Sequence, residues 1–144
     1  ARDLPFVQEF DAAIMLCEGA FPLMETDEMN FAILGGAARA LKSPGKFIFT
    51  TLNGLYRLFH PASEGESFDM LTMRSRDLLT FTDDDGQVQQ VEASERYYLP
   101  SEITWLLKSL GFTKIEFFGA KLGAFSRQDQ LTAEDFEMLV VAEK

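Results

Sequence analysis

Two spacings of apolar residues occur along this 144-residue chain, and they predict strands alternating with helices. Residues 10–17 are a short apolar run that ends in the polar turn Glu18-Gly19. An unbroken run of this kind is typical of a strand buried on both faces, as in parallel sheets. Such sheets bind ligands just beyond the carboxyl ends of their strands. The pattern therefore places Glu18 at a candidate ligand-binding edge.

A helix and a second strand follow this run. Thr26-Asp27 can cap a helix over residues 27–42, because their side-chain oxygens accept hydrogen bonds from free first-turn amides. Pro44-Gly45 ends that helix, and residues 46–52 have the composition of a second buried strand. The i, i+3, i+4, i+7 spacing of a core-facing helix side is present at Leu34, Ala37, Ala38 and Leu41. Strand, helix and strand together predict a right-handed βαβ unit.

Residues 53–98 have a different character and are predicted to be an insertion. The aromatic segment 53–60 is predicted as a short helix that ends at Pro61. Asp84-Asp85-Gly86 predicts a hairpin turn rather than a cation site, because Asp and Gly tolerate positive φ. Antiparallel strands are predicted from β-favouring residues at 68–76, 77–82 and 87–98.

The pattern of helix and strand resumes at Leu99. A helix that ends at Gly111 is predicted from the apolar stripe Ile103, Leu106, Leu107 and Leu110. Residues 112–119 and 136–143 are predicted strands, and residues 120–135 are predicted to be a polar loop.

Composition excludes several classes of partner. The chain has 13 Lys and Arg against 23 Asp and Glu, a net charge of −10, so nucleic acid and anionic membranes are poor partners. No apolar run approaches the roughly 20 residues that span a bilayer, and no signal peptide is visible. The single cysteine, Cys17, excludes an intrachain disulfide and fits a reducing cytoplasm, and no Cys and His spacing predicts a metal site.

Five segments carry motifs in a consistent order, namely Ala1-Arg2-Asp3-Leu4-Pro5-Phe6, residues 10–21, residues 37–46, residues 106–112 and residues 138–144. In this order they resemble the C-terminal half of a class I S-adenosylmethionine-dependent methyltransferase. The resemblance implies an α/β, Rossmann-like sheet made of that family's strands four to seven, with an antiparallel end. Residues 1–144 would be one partial domain, and residues 53–98 would be an inserted antiparallel substrate cap.

The chain also departs from the family. The glycine-rich loop after strand one and the acidic residue that ends strand two have no counterpart in these 144 residues. The resemblance therefore implies that strands one to three are absent, and that the chain alone lacks most of a cofactor site and is inactive. In the complete protein, a Gly-x-Gly-x-Gly motif is expected upstream of Ala1.

The resemblance also implies which residues bind S-adenosylmethionine. Ala1 and Arg2 would lie near adenine, while Leu16, Cys17 and Glu18 would border the methionine part. For Leu16 and Cys17 the alternative is packing in the core, where free cysteines are commonly found.

Substrate-binding residues are expected after the second core strand and at the end of the insertion, where aromatic rings and a fixed cation could hold an apolar or anionic substrate. The alternatives are core packing for Phe21 and an ordinary surface helix after residue 52. One of Tyr97 and Tyr98 is expected to pack and the other to face outward. His60 lies in an exposed-looking segment, which disfavours it as a catalytic base. The candidates are Phe21, Asn53, Tyr56, Arg57 and Tyr97.

The sequence thus predicts a cytoplasmic methyltransferase of an unidentified small molecule, with this chain as its C-terminal part. The alternative is a non-catalytic module that folds or dimerises through its first strand. A strand of the buried type on a sheet edge promotes pairing with another chain. Either a second copy or the missing N-terminal half is therefore expected to cover residues 10–17.

Overall fold

The computed structural model describes residues 2–17, 21–62, 66–121 and 124–144. Its main sheet has five strands in the order β1–β2–β8–β6–β7, and a separate sheet has the order β3–β4–β5. The elements are β1 (Phe10–Met15), α1 (Asp27–Ala40), β2 (Leu41–Leu52), α2 (Gly54–Phe59), β3 (Ser67–Asp69), β4 (Arg74–Thr82), β5 (Val88–Arg96), α3 (Pro100–Ser109), β6 (Lys114–Lys121), β7 (Ala124–Gln130) and β8 (Glu137–Glu143).

The main sheet is mixed. β1 pairs with β2 in parallel, and Ile14 lies opposite Ile48. β8 lies between β2 and β6 and is antiparallel to both of them. The predicted βαβ unit is therefore present as β1, α1 and β2, and the final strand, β8, runs antiparallel to both of its neighbours.

Helices α1 and α3 contribute to one apolar core on the main sheet. α1 begins as predicted, because Thr26 Oγ1 accepts a hydrogen bond from the Met29 amide at 3.2 Å, but it ends at Ala40, where β2 begins. None of the described helices is both long and apolar enough to cross a bilayer. The core includes Ile33 and Leu34 of α1, Phe47 and Phe49 of β2, Ile103 and Leu107 of α3, and Met138, Val140 and Ala142 of β8.

β1 corrects the prediction of a strand buried on both faces. It is an edge strand of the main sheet, as the sequence predicted for the first strand, and its Ile14 is 67% exposed. Ala13 and Met15 pack against the core, since alternate residues of a strand point to opposite faces. The apolar pattern at residues 10–17 thus includes a surface that no other described residue covers.

The prediction of a polar loop at residues 120–135 is wrong. β6 continues to Lys121, and β7 follows as its antiparallel partner, with Ala120 opposite Phe125. Charged pairs join the two strands: Arg127 pairs with Glu116, and Lys121 lies 3.4 Å from Asp129. A polar edge strand has no apolar alternation to reveal it, and charge on such an edge deters further pairing.

α2 and a three-stranded antiparallel sheet follow β2, as predicted, but the strand bounds differ. β3 covers only Ser67–Asp69, and β4, Arg74–Thr82, runs through the break predicted between residues 76 and 77. The hairpin turn of this sheet is fixed by Asp83, whose carboxylate accepts hydrogen bonds from the Gln87 amide and from Gln89 Nε2, both at 2.8 Å. The Gln89 contact is the main reason that the pKa of Asp83 lies below its usual range. Gly86 supplies the positive φ, 79°. No group of described side chains could hold a metal ion.

Four charged side chains hold the inserted sheet against the helices. Asp27, at the start of α1, lies 2.7 Å from Arg74 of β4 and 3.4 Å from Arg96 of β5. Arg96 also contacts Glu102 at 2.6 Å, and the other oxygen of Glu102 accepts the Leu99 amide at the start of α3. Both arginines are buried, and a buried charge needs such partners. We call these residues, Asp27, Arg74, Arg96 and Glu102, the charge network.

Replacing Asp27 tests the charge network. Asp27→Asn keeps the shape of the side chain but removes the charge that Arg74 and Arg96 share. We expect the free energy of unfolding in urea to fall by about 2 kcal/mol, the scale of a hydrogen bond to a charged group. Asp11→Asn is the matched control, because the Asp11–Lys42 pair is exposed and should contribute less than about 1 kcal/mol. Equal losses in the two variants would contradict this role.

Candidate functional site

A cavity of about 350 Å³ lies between α2, the inserted sheet and Phe136, which precedes β8. Its volume is within the range of small-molecule sites. Three of the predicted substrate-binding residues, Tyr56, Arg57 and Tyr97, line it. Asp77, Glu95 and Phe136 line it too, although they were not predicted from the sequence.

Arg57 is the buried cation of the cavity wall, with 7% of its surface exposed. Its Nη2 forms an ion pair with Glu66, and its guanidinium carbon lies 5.1 Å and 5.4 Å from the ring centres of Phe68 and Tyr97. Burial lowers the pKa of Arg57, but the interactions with Glu66, Tyr97 and Glu95 together outweigh burial and raise that pKa above its ordinary value. Nε is buried and has no hydrogen-bond partner among the described residues. The expectation of an ordinary surface helix is therefore wrong for this residue.

Tyr97 supplies the aromatic wall opposite α2. Its hydroxyl lies 3.4 Å from Glu95 Oε2, and its ring meets Phe136 edge-on at 6.2 Å between ring centres. Burial, followed by the negative charge of Glu95, raises the pKa of Tyr97. The phenol therefore stays neutral at ordinary pH and can donate a hydrogen bond to the carboxylate.

Tyr98 is buried as well, so the expectation that one of the two tyrosines faces outward is wrong. Its ring stacks on Phe21 at 4.9 Å, and its hydroxyl accepts a hydrogen bond from Asn30 Nδ2 at 3.1 Å. Burial, followed by the charge of Asp27, raises the pKa of Tyr98 to about 12. Phe21 is fully buried between Tyr98 and Phe49, which gives it a packing role.

Asn53 has a structural role at the junction between β2 and α2. Its Oδ1 accepts a hydrogen bond from the Leu55 amide at 3.0 Å and so caps α2. Its Nδ2 donates to the backbone oxygens of Thr132, at 3.0 Å, and Asp135, at 2.8 Å. The side chain is fully buried, and these bonds occupy its acceptor and both donor positions. We therefore leave Asn53 and Phe21 out of the proposed substrate contacts.

His60, at the end of α2, also lines the cavity. Its ring stacks on Tyr56 at 4.0 Å, its Nδ1 lies 2.9 Å from the Tyr56 backbone oxygen, and its Nε2 lies 3.3 Å from Glu134. The imidazole is thus held in place by contacts on both nitrogens, although the sequence indicated no role for it.

The predicted cofactor-binding residues lie at the carboxyl end of β1 and near the start of the chain. Leu16 is half-buried and Arg2 is exposed. Cys17 is exposed, which corrects the expectation of core packing, and its φ of 55° makes a strained turn directly after the strand. Ala1 and Glu18 lie outside the described residues.

No family model and no curated protein sequence matches the chain. Solved structures do match it. An S-adenosylmethionine-dependent methyltransferase from Clostridium acetobutylicum has a TM-score of 0.70 at 13% identity, over 99% of this chain and 61% of that chain. The CcbJ methyltransferase from Streptomyces caelestis has a TM-score of 0.67 at 13% identity, over 97% of this chain and 59% of that chain.

A third match is the glycopeptide N-methyltransferase MtfA in complex with S-adenosyl-L-methionine. Its TM-score is 0.54 at 16% identity, over 97% of this chain and 55% of that chain. The chain therefore has the fold of the class I S-adenosylmethionine-dependent methyltransferases. It spans about three-fifths of the length of these structures.

Replacing Asn53 tests its role at the junction. Asn53→Asp keeps the acceptor that caps α2 but removes both donors, which leaves the backbone oxygens of Thr132 and Asp135 without that partner. We expect a loss of about 2 kcal/mol in the free energy of unfolding, because buried acceptors that lose their donors are costly. Urea unfolding followed by circular dichroism measures this loss. A change below about 0.5 kcal/mol, the range of ordinary surface substitutions, would contradict the assignment.

Because burial raises the pKa of Tyr98, we expect the folded chain to lose stability at high pH. The folded chain keeps the Tyr98 proton up to about pH 12, whereas the ordinary pKa is 10.0, so this contribution is complete below pH 10 and declines as the pH rises through 12. The expected slope is about 1 kcal/mol per pH unit for this group. Urea unfolding across that range should show a shallower slope for Tyr98→Phe. Identical slopes in the two proteins would rule out this linkage.

Proposed function

We propose that this chain is the C-terminal part of an S-adenosylmethionine-dependent methyltransferase that acts on a small molecule. Residues 53–98 are its acceptor-binding cap. The observation that carries the proposal is the cavity of about 350 Å³ beneath the inserted sheet, on a main sheet with the methyltransferase fold. Aromatic walls from Tyr56 and Tyr97 and a buried Arg57 are the features of a site that orients a small ligand.

The residues after β1 fit one wall of a cofactor site. The strained turn at Cys17 and the half-buried Leu16 before it would border the methionine part, and the exposed Arg2 would lie near adenine. When bound, S-adenosylmethionine supplies an electrophilic methyl group. In this proposal the remaining cofactor contacts come from the part of the protein that precedes Ala1.

The cavity residues hold and orient the acceptor in this proposal. Methyl transfer depends mainly on the alignment of donor and acceptor atoms, so it requires no characteristic set of catalytic side chains. Tyr56 and Tyr97 would enclose the apolar part of the acceptor, and Asp77 and Glu95 would accept its hydrogen bonds. We therefore assign positioning roles to these residues and name no catalytic residue.

The exposed edge of β1 favours one alternative, a non-catalytic module that pairs through this strand. Beside the edge lies an apolar groove of about 350 Å³, lined in part by Phe6, Phe10 and Ile33. In the methyltransferase proposal, an N-terminal half of the same protein covers this surface. In the alternative, a second copy of the chain covers it.

Isothermal titration calorimetry with S-adenosylmethionine tests the proposed function. We expect no tight binding by the 144-residue chain, because it carries only one wall of the site. The protein that includes the residues encoded upstream of Ala1 should bind with micromolar affinity and should lose that binding when the upstream glycine-rich loop is replaced.

Three outcomes would contradict the proposal. Micromolar affinity of the 144 residues alone would show that the chain is not a partial site. A longer protein without affinity for S-adenosylmethionine would show that it is not a methyltransferase. A dimer of the chain that binds no cofactor in any form and dissociates on Ile14→Lys, measured by sedimentation equilibrium, would favour the alternative.

A further inference from the structure

The wall of the cavity has more acidic than basic side chains. Arg57 is the buried cation, and Glu66 is its ion-pair partner. Asp77 and Glu95 add two further carboxylates from β4 and β5. His60, the other basic side chain of the wall, lies 3.3 Å from the carboxylate of Glu134. The cavity therefore has an excess of negative charge.

Asp77 and Glu95 lie on the same face of the inserted sheet. Ser75 is the register partner of Glu95, and Asp77 is the partner of Ala93, so the two acidic residues are diagonal neighbours. The Ser75 and Tyr97 hydroxyls each lie 3.4 Å from Glu95 Oε2. Both hydroxyls are neutral donors, and Glu95 also interacts electrostatically with the Arg57 side chain.

Aromatic rings complete the wall next to these carboxylates. Tyr56 meets Phe136 edge-on at 5.3 Å, and Tyr97 meets the same ring at 6.2 Å. Aromatic faces attract organic cations, and their attraction strengthens where water is excluded. Rings combined with carboxylates therefore favour a ligand that has a flat apolar body and a positive charge.

Arg57 forms the buried end of the cavity wall. Its side chain is more than nine-tenths buried, lines the cavity and is paired with Glu66. Its Nε is enclosed by the protein, so a ligand in the cavity contacts the aromatic rings and the carboxylates rather than this nitrogen.

We propose that the cavity binds a small aromatic amine. Its ammonium group lies beside Glu95 and Asp77, and its ring lies among Tyr56, Tyr97 and Phe136. Only the identification of this amine as the methyl acceptor rests on the proposed function.

An NMR titration of the chain without cofactor tests the proposal. The probes are tyramine, its uncharged derivative N-acetyltyramine, and 3-(4-hydroxyphenyl)propionate, which has the same ring and hydroxyl but a negative charge. We expect tyramine to bind at least about tenfold more tightly than either analogue, the effect of one charged hydrogen bond. The amide resonances of Arg57, Asp77 and Tyr97 should shift during the titration.

Variants of the cavity carboxylates test whether the preference for tyramine arises in the cavity. Glu95→Gln should weaken tyramine about tenfold and leave N-acetyltyramine unchanged. Glu92→Gln is the matched control, because Glu92 lies on the opposite face of β5 and pairs with the exposed Arg76. If Glu95→Gln fails to fold, Asp77→Asn provides the same comparison with an exposed residue of β4.

Specific outcomes would overturn the proposal. They are equal binding of the three probes, tighter binding of the propionate, and no binding of any of them. Methylammonium bound as tightly as tyramine would also overturn it, since the net charge of −10 would then explain the attraction. These results concern the ligand alone. Cofactor binding by the longer protein decides the proposed function separately.

Discussion

The cavity depends on the hydrogen bonds of one buried amide, Asn53, at the carboxyl end of β2. Its side chain caps α2 and binds two backbone oxygens of the segment that leads to Phe136. The Gly54 amide then donates to the Tyr98 backbone oxygen at 2.9 Å. A glycine at position 54 permits this close approach, because an added Cβ would lie 3.0 Å from Met73 Cε and 3.1 Å from the Tyr98 carbonyl carbon. The junction thus brings three walls of the cavity together: α2, the end of the insertion and the segment before β8.

The charge network has a second, complementary effect. The apolar core around Phe47 and Phe49 attaches α1 and α3 to the main sheet, but it does not fix the position of the inserted sheet. Asp27 and Glu102 do so through the buried Arg74 and Arg96. Hydrogen-bonded charge contacts are directional, so they specify an arrangement more than they add net stability. The carboxylates of the cavity are carried by the sheet that these contacts hold in place.

Much of the fold follows from local patterns, and part of the cavity follows with it. The cap at Thr26, the stop at Gly111 and the turn at Asp83–Gly86 each act within a few residues, which is why they could be predicted. Glu95 was missed although it lies two residues before Tyr97, and that spacing in a strand puts both side chains on one face. Phe136 had no comparable signal, because it joins the cavity through contacts with Tyr56 and Tyr97 that are distant in sequence.

The sequence by itself determined the order of the helices and of the strands other than β7, the antiparallel strands after α2, and the aromatic and cationic side chains of α2. These depend on periodicity, capping and turn chemistry, which are local. Only the tertiary structure decided which side chains of β1 are exposed, that the polar β7 is a strand, and that Asn53 is a structural hydrogen-bonding residue rather than a ligand contact. The physical reason is that burial and hydrogen-bond partners come from residues far apart in the chain, such as Asn53 and Asp135, and no local pattern records which of them meet.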